Sequence, residues 1–90
     1  MATAVVLLNV EAQQTRSIAE TVAAIPGVSE VYSVAGTYDL VAIVRVASNE
    51  ELAEMVTERI RGVSGIHNSQ TLIAFRAYSR YDLESMFDID

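Results

Sequence analysis

The chain has no cysteine, no lysine and no tryptophan, and only one histidine and one proline in 90 residues. Without cysteine there is neither a disulfide framework nor a thiolate metal site, and nothing marks an oxidising compartment, so the expected location is the cytoplasm. His67 stands alone, and a lone histidine near a strand start is more often structural than catalytic. There is no glycine-rich phosphate loop and no cluster with metal-ligand spacing, so no cofactor and no metal are expected. Positive charge is scarce too. Six arginines, scattered at 16, 45, 59, 61, 76 and 80, stand against twelve acids, for a net charge of −6. Phosphate neutralisation needs a basic face, so direct nucleic-acid binding by this chain is not expected. No apolar run approaches the ~20 residues of a membrane span. The opening Met1–Leu8 lacks the basic stretch of a signal peptide. No membrane partner is expected.

What the chain has in quantity is apolar material, 51% of its residues. Ninety residues make one domain near the small end of what folds alone, with a large share of its surface exposed. Either the core is unusually rich or apolar surface is buried against another chain.

Residues 3–10 form a first strand that is apolar on both faces, Val5 and Leu7 on one and Val6, Leu8 and Val10 on the other. A helix over 13–25 carries Ile18, Val22 and Ile25 on one stripe, with Ala19 beside them, and Pro26-Gly27 ends it. Val28 to Val34 is the second strand and 38–46, a β-branched run, the third. Ser48 and Glu51 fit a capping box that opens a second helix, whose buried stripe is Leu52, Met55, Val56 and Ile60. Residues 66–76 form the fourth strand, polar first and apolar after.

Ile25–Val31 and Ile60–Ile66 resemble one another, each following a helix and preceding a strand. The order is therefore a doubled βαβ unit: an α+β, ferredoxin-like βαββαβ sandwich. Right-handed crossovers put both helices on one face of a four-stranded antiparallel sheet of order 4-1-3-2. The other face keeps apolar side chains that need cover, which predicts a homodimer packed sheet against sheet. Residues 1–76 form this domain. Residues 77–90 make an acidic, aromatic tail in which Leu83, Met86 and Phe87 share a face at helical spacing, fit for a short helix docking on a neighbouring subunit.

The hairpin between strands two and three concentrates the binding chemistry. Gly36 supplies positive φ in a short connection. Asp39 sits at the mouth of an oily strand, where it either ends a turn or meets a specific partner. Its carboxylate suits an ammonium group, and backbone amides near Gly36 suit a carboxylate. Ser69, Gln70 and Thr71, at the start of strand four, offer hydroxyl and amide groups. A ligand with ammonium and carboxylate on one carbon, an α-amino acid, fits that set.

Ile25-Pro26-Gly27-Val28, Gly36-Thr37-Tyr38-Asp39-Leu40 and Ser69-Gln70-Thr71, in this order, resemble the effector-binding (RAM) domain of the Lrp/AsnC transcription regulators over residues 3–76. The resemblance implies an α/β sandwich that dimerises through its sheets, further assembly to an octamer or decamer, and an amino-acid effector bound between dimers. It implies a ligand site at Gly36, Thr37, Tyr38, Asp39, Ser69, Gln70 and Thr71. Family regulators carry a helix-turn-helix ahead of this module, whereas strand one begins here at once. The expectation is a stand-alone sensor without its own DNA reader that modulates full-length Lrp/AsnC regulators. A small dimeric α/β-barrel enzyme of the monooxygenase type shares the fold. It would need a buried polar or aromatic constellation between sheet and helices, where this sequence offers aliphatics. A purely structural interaction module is a third reading.

Overall fold

A computed structural model describes residues 1–78 and 80. β1 (Ala2–Val10) runs through the sheet interior, antiparallel to β3 (Leu40–Val46) on one side and to β4 (Ile66–Ala74) on the other, and β2 (Val28–Ser33) closes the far edge against β3. The order β2-β3-β1-β4 is the one that two right-handed crossovers require. α1 (Thr15–Ala23), entered through a 3-10 turn at Ala12–Gln14, and α2 (Asn49–Glu54) are the crossover helices.

The alternation along β1 divides the sheet. Ala2, Ala4, Val6, Leu8 and Val10 are buried under the helices, together with Leu40, Ala42 and Val44 of β3. The apolar stripes of the helices meet them: Ile18 and Val22 from α1, Leu52 from α2, and Met55, Val56 and Ile60 beyond it. Each fully buried Leu, Ile or Val of this set contributes about 1.5–3 kcal/mol of transfer free energy. Among the described residues no polar or charged side chain is buried.

Among the described residues no helix covers the opposite face, where Val5, Leu7, Val41 and Ile43 are half-buried. In an antiparallel ladder, paired residues share a face. The pairs Val5↔Ile43, Val5↔Leu72, Leu7↔Val41 and Leu7↔Gln70 place these side chains together there. Leu72 is 46% exposed. At the β2 side the apolar patch is framed by charge. Arg45 lies 3.6 Å from Glu30, which also accepts the hydroxyl of Tyr32 at 2.8 Å.

The first helix runs over Thr15–Ala23 rather than 13–25, β2 ends at Ser33 rather than 34 and β4 at Ala74 rather than 76, and four further details depart from the sequence reading. β3 begins at Leu40 rather than 38: the Asp39 amide donates to Leu8 O of β1, and its carbonyl accepts from Val34, beyond the end of β2. Beyond Glu54 the second helix widens into a π-helical turn over Met55–Ile60, closed by Arg61 N–H donating to Val56 O at 3.2 Å. The Ser48 hydroxyl does accept from the Glu51 amide at 3.2 Å, but Glu51 reaches back to the Ala47 amide, one residue early. The echo aligned Gly27 with Gly62; the conformational counterpart is Gly65, since Gly27 and Gly65 both take positive φ, 98° and 93°, one residue before a strand. The expected tail helix bearing Leu83, Met86 and Phe87 falls outside the described residues.

Candidate functional site

β3 is entered through residues 34–39, and three hydrogen bonds fix the base of this hairpin. Val34 N–H donates to Asp39 O at 3.0 Å, Asp39 N–H to Leu8 O at 2.9 Å, and Val10 N–H to Asp39 Oδ2 at 2.9 Å. The carboxylate at the mouth of the oily strand therefore has a definite structural partner through one oxygen, the amide at the end of β1. Asp39 itself is half-buried. Both readings of this acid keep a foothold: Oδ2 latches the hairpin to β1, and Oδ1 has no hydrogen bond among the described residues.

Gly36, at the apex, takes φ 130°, where an L side chain is strained, and a Cβ there would meet open space. Thr37 O accepts from Asn9 Nδ2 at 2.8 Å. Tyr38 donates its hydroxyl to Gln70 Oε1 at 2.6 Å, across β1. Gly36, Thr37, Tyr38, Asp39 and Gln70 thus form one connected region within a single chain.

Ser69 and Thr71 lie apart from it. Strand alternation turns them to the helix face, opposite to Gln70: Ser69 pairs with Leu8 and Thr71 with Val6, both core residues. Thr71 lines a cleft of about 170 Å³ with Leu52, Ala53 and Val56. Ser69 lines another of about 340 Å³ with Arg61, Ile66, His67 and Asn68. Three successive strand residues cannot present their side chains to one ligand from one face.

Sequence reasoning passed over the end of β1. Asn9 is a polar break in the open-face row Val5, Leu7, and that break was the available sign. Its Oδ1 accepts from Asn68 Nδ2 at 3.4 Å. A β-bulge follows, where pairing steps from Asn9↔Asn68 to Val10↔Ile66. The extra residue, His67, places Nε2 2.8 Å from Glu11 Oε2 on the surface. Among the described residues no three His, Cys, Asp or Glu side chains converge as metal ligands, and no helix is long and apolar enough to cross a membrane.

A family model for the Lrp/AsnC ligand binding domain matches residues 3–83. An uncharacterized HTH-type transcriptional regulator of Pyrococcus furiosus is 40% identical over 60 residues, 67% of this chain and 40% of the regulator. The matched stretch therefore spans less than half the length of that relative. Among solved structures, TTHA0845 of Thermus thermophilus is 46% identical with a TM-score of 0.83, over 89% of this chain and 100% of that one. A feast or famine regulatory protein of M. tuberculosis, complexed with L-methionine, is 28% identical with a TM-score of 0.74, over 89% of this chain and 54% of that one.

Proposed function

Because this chain belongs to the Lrp/AsnC ligand-binding domain family, we propose that it acts as an oligomeric sensor of an amino acid rather than as an enzyme. The observation that carries this reading is the hairpin itself. A half-buried carboxylate with one uncommitted oxygen stands beside an open glycine apex that a second side-chain-to-backbone bond holds in place. Asp39 Oδ1 receives the effector's ammonium in a charge-assisted hydrogen bond. Backbone donors around Gly36–Tyr38 receive its carboxylate. Ser69 and Thr71, which face the helices, act on the ligand only through β4, whereas Gln70 acts through Tyr38.

The open face of the sheet supports a twofold dimer in which Val5, Leu7, Val41, Ile43 and Leu72 pack on their copies. Such dimers assemble further, to an octamer or decamer, with the effector between them, and the assembly modulates full-length regulators of the family. Among the described residues no polar side chain is buried between sheet and helices, where Ser69 and Thr71 are half-buried, which speaks against the monooxygenase-type alternative and its need for a buried polar or aromatic constellation there. A thermal-shift screen of the twenty amino acids tests the proposal: at least one raises the melting temperature in proportion to the logarithm of its concentration. No shift with any of them at millimolar concentration contradicts it.

A further inference from the structure

The base and the apex of the hairpin are held by different means. The base has backbone bonds at Val34, Leu8 and Asp39, and the Val10 amide on Asp39. At the apex, Gly36 takes a conformation that costs it nothing and restrains it little. Among the described residues, the hydrogen bond that reaches Gly36–Thr37 from another element is the one from Asn9 to Thr37 O.

The chemistry of that contact fixes the orientation of the Asn9 amide. A carbonyl oxygen only accepts, so the group facing Thr37 is the NH2, and Oδ1 is left to face Asn68 Nδ2. One short side chain thus donates to the hairpin on one side of β1 and accepts from β4 on the other. Aspartate would set a carboxylate against the Thr37 carbonyl. Serine is shorter, and alanine bonds neither. The β-bulge immediately after Asn9 adds local twist at the strand end that carries this side chain.

Resting on the effector reading above, we propose that Asn9 is the positioning residue of the effector hairpin. It holds the Thr37–Tyr38 peptide against β1 before ligand arrives and ties that peptide to β4 through Asn68. It does not touch the effector. Its contribution is preorganisation, so that less ordering remains to be done on binding.

The test combines backbone amide exchange of the ligand-free protein with calorimetric titration by whichever amino acid the screen identifies. Three variants are compared with the parent: Asn9→Ala, Asn9→Asp and Asn68→Ala. In Asn9→Ala the hydrogen-bonded amides of Val34 and Asp39 exchange about tenfold faster and affinity falls about three- to tenfold, the range of one net hydrogen bond. Core amides of β3 such as Val44 keep the parent rate. Asn9→Asp is worse than Asn9→Ala, and Asn68→Ala is milder than both. A uniform acceleration of all amides marks a merely structural residue and overturns the proposal. So do parent-like exchange and an affinity within about twofold in both Asn9 variants. If the parent binds no amino acid, the effector reading fails by itself, and the exchange data alone decide whether Asn9 sets the hairpin.

Discussion

Tyr38, in the hairpin that enters β3, and Gln70 of β4 are joined by a 2.6 Å hydrogen bond although β3 and β4 do not pair with each other. β1 lies between β3 and β4, and Gln70 pairs with Leu7, so the tyrosine side chain spans β1 to reach it. Tyr38→Phe removes the bond and little else. We expect a loss of about 0.5–1.5 kcal/mol, a fall in melting temperature of several degrees for a domain of this size. A double-mutant cycle with Gln70→Met returns that coupling. A coupling near zero contradicts the bridge.

Two glycines separate backbone strain from crowding. Gly36→Ala introduces a Cβ into open space at φ 130°, so its cost is strain alone, about 1–3 kcal/mol. Gly27→Ala adds to similar strain a Cβ in collision with Met55 Cε and only 2.9 Å from Val46 Cγ1. Denaturant unfolding should show Gly27→Ala to be clearly the less stable of the two.

The open sheet face predicts the oligomeric state. Light scattering of the parent should give at least twice 9.8 kDa. Ile43→Asp lies on that face and outside the helix-covered core, so the variant should fold and run as a monomer. Val44→Asp, one residue on, buries an unpaired charge in the core and should fail to fold, at a cost of several kcal/mol. A parent of monomer mass removes the dimer from the account.

The Tyr32 phenol is held above its ordinary value of about 10 by its hydrogen bond to Glu30 and then by the Glu30 charge. The fold thus favours the protonated phenol. Whatever this contributes to stability is present below the unfolded value and is lost as pH rises through the folded one. Neutral pH is unaffected. In Glu30→Ala, phenolate absorbance should show one of the four tyrosines titrating at lower pH than in the parent.

The fold was legible where one period dominated. Ile18 and Val22, or Leu52, Met55, Val56 and Ile60, repeat at helical spacing, and the doubled βαβ order then fixes the sheet. The apolar pair Val5 and Leu7 announced the uncovered face. The hairpin was legible as a place, because glycine and an acid at the mouth of an apolar strand are local features. Its wiring was not. Asp39 meets Val10 and Thr37 meets Asn9 across nearly thirty residues of chain, and no local pattern encodes such a pair. The grouping of Ser69 and Thr71 with Gln70 overlooked the period of two, which sends neighbours to opposite faces. The widened turn at Met55–Ile60 keeps the same residues buried as an α-helix would, so the apolar pattern carries no trace of it.

The most direct test of the effector site is calorimetric titration of Asp39→Asn and Asp39→Ala alongside the parent, with melting curves for all three. Because Oδ2 holds the Val10 amide, Asp39→Ala should lose stability as well as ligand. Asp39→Asn keeps an oxygen for Val10 and gives up the charge that the ammonium needs. The account predicts that Asp39→Asn melts close to the parent and binds the effector about ten- to a hundredfold more weakly, as loss of a charged hydrogen bond of about 1.5–3 kcal/mol requires. Parent-like affinity in Asp39→Asn would contradict it, leaving Asp39 as the latch of its own hairpin and placing the ligand elsewhere.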